Sequence, residues 1–154
     1  MNNLKKKKKK KGFTLVELMA VIAIIAILAA VLVPTVNGYI NRSKKTAIIT
    51  QIRTLVNAVE SYNATSSTGI DDTAVLGDVT TANSVAKKLA DAELIDSTGK
   101  DINKLATSVV TVGNYKKINE DTDSLNKLTY DKTNKVFQYI FSGTTPTTVS
   151  TTVN

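Results

Sequence analysis

The chain has 154 residues and a formal net charge of +7, with neither histidine nor cysteine. A cysteine nucleophile, a histidine-based triad and zinc sites built from those ligands are therefore excluded. No glycine-rich phosphate loop is present either, so no catalytic residue, metal or cofactor is expected and the chain reads as structural rather than enzymatic.

Lys5, Lys6, Lys7, Lys8, Lys9, Lys10 and Lys11 form an unbroken basic block that meets Gly12. Gly12 opens onto an apolar run from Phe13 to Val33 in which only Thr14 and Glu17 are polar. As a helix rising ~1.5 Å per residue, that run spans roughly 30 Å, the hydrocarbon thickness of a bilayer. Basic residues flanking a span stay on the cytoplasmic side. The predicted topology is thus single-pass in the cytoplasmic membrane, with the N-terminus inside and everything after Pro34 outside. The run is too long for an ordinary secretory signal and lacks a clean Ala-x-Ala exit. A plain anchor remains open, but Glu17 lies about one turn inside the span, where an ionisable group costs up to ~3 kcal/mol near the centre and needs a partner.

Gly12-Phe13-Thr14-Leu15-Val16-Glu17, with the apolar run continuing to Pro34, closely resembles the leader junction and N-terminal helix of type IV prepilins. The resemblance covers the first third of the chain. It implies that a membrane aspartyl peptidase cuts between Gly12 and Phe13 and methylates the new Phe13 amine. It also implies that the Glu17 carboxylate neutralises the Phe13 amine of a neighbouring subunit and so sets the axial register of a helical filament. Phe13 and Glu17 are four apart on one helix, so an intramolecular pairing before assembly competes with that role.

The expected partners are prepilin peptidase, the inner-membrane pilus assembly machinery, other copies of the chain and, before assembly, the membrane itself. A host surface or DNA is a further conceivable target. The expected destination is a cell-surface pilus serving motility, adhesion or biofilm formation. Pseudopilins of type II secretion and DNA-uptake machines share the motif and are the nearest alternative; a signal-anchored ectodomain that does not polymerise is the other. Cleavage would remove all seven leader lysines and leave 13 Lys plus Arg against 13 Asp plus Glu. The basic excess is therefore no footprint of nucleic-acid binding by the folded part.

Pro34 lacks an amide proton and clashes with the carbonyl four residues back, which predicts a kink without ending the helix. Beyond it Val36, Tyr39, Ile40, Ile48, Ile52, Leu55, Val56, Val59 and Tyr62 recur mostly at three- and four-residue intervals. This predicts an amphipathic second half packed against a head. The helix is expected to stop near Ala64, where Ser, Thr, Asp and Gly take over and a loop runs over 65–81. Three segments follow from this reading: a leader over 1–12, removed by cleavage; a stem helix over 13–64, with its transmembrane part over 13–33; and a head over 65–154.

Within the head, Val85 to Ile95 reads as a short helix capped by Asn83 or Ser84 and stopped before Gly99. Ala106 to Val112, Ser124 to Tyr130 and Lys135 to Ser142 read as strands, with Asp131-Lys132-Thr133-Asn134 turning between the last two. The stretch from Thr144 to Asn154 is either an edge strand or a loose threonine-rich tail. The predicted fold class is α+β: one long N-terminal helix packed against a small antiparallel sheet. Without cysteine, the head must hold together by packing and hydrogen bonds alone. The acidic clusters at Asp71-Asp72 and around Glu120, Asp121 and Asp123 lack the spacing of a calcium loop and read as solvated turns.

Overall fold

The computed structural model describes residues 12–141 and 145–151. The orienting lysines Lys5 to Lys11, the end of the third expected strand at Ser142 and the tail beyond Thr151 lie outside the described residues. The chain divides into two units, Met1–Ile40 and Asn41–Asn154.

A single helix, α1, runs from Leu15 to Thr65, through Pro34 and within one residue of the expected end. In the first unit every large apolar side chain from Leu15 to Val33 is exposed. This is the one helix among the described residues long and apolar enough to cross a membrane. Thr35 Oγ1 donates to Val31 O at 3.2 Å, adding a side-chain bond to the turn that contains Pro34.

In the second unit α1 behaves differently. Ile48, Ile52, Leu55, Val56, Ala58 and Val59 are buried, and Ile49 and Tyr62 pack at the margin of the same core. Their spacing is the three-and-four pattern of one helix face. The expected stripe is corrected at its start: Val36, Tyr39 and Ile40 are exposed, and burial begins at Ile48. Those three residues repeat with helical periodicity, but no apolar surface of the first unit covers them.

The helix α2, Val85–Asp91, starts where Ser84 Oγ accepts the Lys87 N–H at 3.0 Å. Of the two candidate caps the structure uses Ser84; Asn83 instead takes a positive φ of 62° in the preceding turn. Gly77 occupies the left-handed region at φ +67°, and a Cβ there would lie 2.5 Å from Ser84 Cβ. Glycine is therefore required twice over, by backbone conformation and by the close approach of the α2 cap.

Two of the expected strands are corrected. Ala106 to Val112 is irregular apart from one bridge between Val75 and Thr111, and it leads into the helix α3, Val112–Glu120. Thr111 caps α3 by accepting the Asn114 N–H at 3.3 Å, and Val112, Tyr115 and Ile118 are buried at helical spacing. The β-branched run suggested a strand, but the cap and this spacing decide for helix. Ser124 to Tyr130 begins as one helical turn, α4 over Ser124–Lys127, before the strand β1 over Leu128–Asp131. Asp121 and Asp123 fold the chain into that turn: Asp121 Oδ1 accepts the Asp123 N–H at 2.9 Å, and Asp123 O accepts the Lys127 N–H at 3.2 Å.

The strand β2, Val136–Tyr139, pairs antiparallel with β1, and Asp131 faces Val136 across the hairpin. Asp131 Oδ1 accepts the N–H groups of Thr133 and Asn134 at 2.9 and 3.2 Å. The four-residue loop is shifted one residue along from the expected one: Asp131 belongs to β1, and Lys135 completes the loop at φ +54°. The strand β3, Thr147–Thr148, adds to the far edge of β2, giving the sheet order β1-β2-β3. Of the two readings of the C-terminal stretch, the edge strand is the one observed. The α+β architecture stands. Leu76, Leu89, Leu105, Tyr115, Ile118, Leu128 and Phe137 complete the core around the buried face of α1, each large apolar side chain contributing roughly 1.5–3 kcal/mol of transfer free energy on burial.

Candidate processing and assembly site

Helix α1 begins at Leu15, which makes Thr14 its N-cap and leaves Gly12 and Phe13 in non-helical chain ahead of it. Phe13 is 94% exposed. Among the described residues nothing lies within 4 Å of the position a Cβ would take on Gly12. The Gly12–Phe13 peptide bond is thus outside any helical hydrogen-bond ladder, on the exposed side of the first turn. No contact among the described residues demands glycine at position 12.

Thr14 and Glu17 form a reciprocal cap. Glu17 Oε2 accepts both the backbone N–H and the hydroxyl of Thr14, each at 2.8 Å, and the Glu17 N–H points to Thr14 Oγ1 at 3.3 Å. This is a capping box, in which the threonine at the cap and the glutamate three residues on satisfy each other's orphan groups. It also places a carboxylate where the helix dipole favours negative charge. Thr14 joins Glu17 as a functional residue not expected above, although Thr-Leu-Val-Glu is the S/T-x-x-E pattern that announces such a box.

In the uncut chain the Phe13 nitrogen belongs to a neutral peptide bond, and Glu17 engages Thr14. Only one carboxylate oxygen is used in the box, so Glu17 keeps acceptor capacity on the other. Of the remaining expected site residues, Pro34 lies further along α1, and the orienting lysines are outside the described residues.

The acidic turns of the second unit are built around their own partners. Asp71 Oδ1 accepts the N–H and hydroxyl of Thr73 at 2.7 and 2.6 Å. Asp121 Oδ2 takes the Lys127 ammonium at 2.6 Å and the Tyr139 hydroxyl, and these donors, with the Asp123 N–H, hold its pKa down at about 2. An open groove of about 980 Å³ runs past this pair, bordered by Lys117, Thr129 and Phe141. Among the described residues there is no group of three or more acidic side chains arranged to hold a metal ion.

The family described as the prokaryotic N-terminal methylation motif matches residues 7–33. The chain carries the leader signature of type IV pilins and pseudopilins. The matched stretch includes the whole candidate site, from the last leader lysines through Gly12, Phe13, Thr14 and Glu17 to the end of the apolar run. It supports a pilin-like or pseudopilin precursor, and the motif together with the apolar start of α1 fits a membrane-anchored one. No curated protein and no solved structure matches the prepilin-like chain.

Proposed function

We propose that the chain is the precursor of a type IV pilin, a non-enzymatic structural subunit that is cut between Gly12 and Phe13, methylated on Phe13 and polymerised into an extracellular filament. One observation carries the reading: an entirely exposed apolar helix segment directly follows an exposed Gly12–Phe13 bond. Such a segment must be covered by lipid or by other copies of itself. A helix that is at once membrane anchor and filament core satisfies both requirements, since lipid contacts are exchanged for helix packing on assembly. The glycine supports the same reading. No contact among the described residues fills the space beside it, so the bare backbone there is open to close approach by a peptidase.

In this reading Glu17 has two consecutive tasks. Oε2 caps its own helix through Thr14, while the free oxygen takes the methylated Phe13 amine of the neighbouring subunit in a low-dielectric filament core. The leader lysines Lys5 to Lys11 hold the N-terminus in the cytoplasm before cleavage. Prepilin peptidase and the inner-membrane assembly machinery are the partners this requires, and display at the cell surface makes adhesion and motility the natural roles.

The test is mass spectrometry of the N-terminal peptide from protein sheared off intact cells, with electron microscopy of the same fraction. Methylated Phe13 at the N-terminus of protein in long filaments is the expected result. The same peptide found only in the membrane fraction, without surface filaments, would favour a pseudopilin. An intact leader on all of the protein would reject the processing.

A further inference from the structure

Residues 147–151 run as an extended strap between two neighbours. On one side Thr147 and Thr148 pair with Tyr139 and Gln138 of β2. The Val149 N–H then donates to Phe137 O at 2.9 Å, and the Phe137 N–H donates to Ser150 Oγ at 2.7 Å. On the other side the Ala106 N–H donates to Val149 O at 3.0 Å and the Thr151 N–H to Lys104 O at 2.9 Å. Leu105 and Ser150 form an antiparallel bridge between these bonds.

Two side chains from different helices complete the arrangement. The Tyr115 hydroxyl, fully buried on α3, shares its proton between Ala106 O at 2.9 Å and Val149 O at 3.2 Å, so one group touches both the strap and the segment it closes on. Gln51 of α1 fixes that segment from behind. Its oxygen accepts the Lys104 N–H at 2.9 Å, and its amide donates to Asn103 Oδ1 at 3.0 Å and Lys100 O at 3.3 Å. There is no cysteine, so no covalent tie assists them.

We propose that the strap is a latch: it opens and recloses while the rest of the second unit stays folded, with the Tyr115 hydroxyl as its catch and Gln51 holding the segment it closes against. The argument is one of unequal anchoring. The strap places a single large apolar side chain, Val149, in the core, whereas α1 alone places Ile48, Ile52, Leu55, Val56 and Val59 there. Elements with little buried apolar surface and many backbone bonds are the ones that open below the free energy of global unfolding. Opening leaves the N–H and C=O of Phe137, the N–H of Ala106 and the C=O of Lys104 without their strap partners.

Hydrogen exchange of the full chain in detergent, read at the amides of Ala106, Phe137, Val149 and Thr151, tests the latch. These four amides are expected to exchange together and before those of Ile52 to Val59 in α1. Tyr115→Phe should speed the four by about fivefold to tenfold, as loss of one net hydrogen bond implies, without changing α1. Gln51→Ala, a change at a half-buried surface position, should speed the four by a smaller factor. Exchange of the four at the rate of the α1 core in the unmodified chain would overturn the proposal, since the strap would then open only when everything does. Equal acceleration of α1 and the strap in Gln51→Ala would overturn it too, and both readouts remain available if Tyr115→Phe does not fold.

Discussion

The two stretches of α1 carry similar aliphatic side chains to opposite ends. From Leu15 to Val33 the helix is apolar all round and exposed; from Ile48 to Val59 it is apolar on one face, and that face is the centre of the core. Helix-forming tendency does not separate them, because Ile, Val, Leu and Ala dominate both. What differs is whether polar residues alternate with the apolar ones. Thr50, Arg53 and Asn57 give the outer stretch a wet side, so it can be half buried within one molecule. The inner stretch has no wet side and can be satisfied only by an apolar solvent or by its own kind.

The sharpest way to break that contrast is to remove equivalent side chains from each stretch. Leu55→Ala, at a fully buried position, should destabilise the second unit by about 2–5 kcal/mol, the transfer loss plus the cavity it leaves. Ile25→Ala, at an exposed position, should leave the unfolding midpoint of that unit unchanged and reduce filament yield instead. Chemical denaturation of detergent-solubilised protein, followed by near-ultraviolet circular dichroism of the tyrosines, compares the two. A stability loss in Ile25→Ala equal to that of Leu55→Ala would mean that the inner stretch is part of the same cooperative core.

A second probe asks how far the core depends on backbone geometry rather than on apolar area. Gly77→Ala keeps every apolar contact but places a methyl group 2.5 Å from Ser84 Cβ at a φ of +67°. The expected cost is about 1–3 kcal/mol, expressed as lost protection at the start of α2, where the Ala86 N–H donates to Leu76 O at 2.9 Å. Unchanged protection there would show that the 77–84 turn has room to relax.

How much of this was legible in the sequence follows the same division. The long helix, its end near Thr65 and the α2 cap at Ser84 are written in local pattern, and the structure has all three. The helix α3 was hidden by the β-branched run before it. Val109 to Val112 reads as strand by composition, and only Thr111 as a cap and the Val112, Tyr115, Ile118 spacing say otherwise. The capping box at Thr14 is legible in Thr-Leu-Val-Glu, but the same residues also read as a processing motif. The pair of bonds from the Tyr115 hydroxyl was not legible at all, since it joins residues 106, 115 and 149 and depends on where three separate elements come to rest.

The capping box allows the two tasks of Glu17 to be separated. Thr14→Ala removes the cap but leaves the charge, and should cost the first turn of α1 about 0.5–2 kcal/mol. Glu17→Gln keeps an oxygen for Thr14 and loses the charge. If register depends on charge, Glu17→Gln stops filament formation after normal cleavage, whereas Thr14→Ala only lowers filament yield. Equal assembly defects in both variants would mean that helix capping, rather than charge pairing, is what assembly needs from this pair.

The smallest expected effect lies in the second unit and depends on pH. Asp121 is held near a pKa of about 2 by Lys127, by the Tyr139 hydroxyl and by the Asp123 N–H, against an unfolded value of 3.8. A carboxyl whose pKa is lower in the folded state adds stability above its unfolded pKa and loses it as protons are forced on. The Asp121 contribution should therefore be complete above about pH 4 and should drain away between 3.8 and about 2. Because Lys127 is nearly half exposed, solvent screens the pair and keeps the effect small. Tyr139 limits the opposite end: burial, and then its bond to Asp121, raise its pKa above the ordinary 10, so its contribution is present below pH 10 and is lost as the pH climbs through the folded value. Asp121→Asn should accordingly lower stability at neutral pH yet flatten the acid limb between pH 4 and 2. An acid limb as steep in that variant as in the unmodified chain would place the responsible carboxylate elsewhere, among the turns at Asp71, Asp78, Asp96 and Asp131, whose pKa values their own hydrogen bonds also lower.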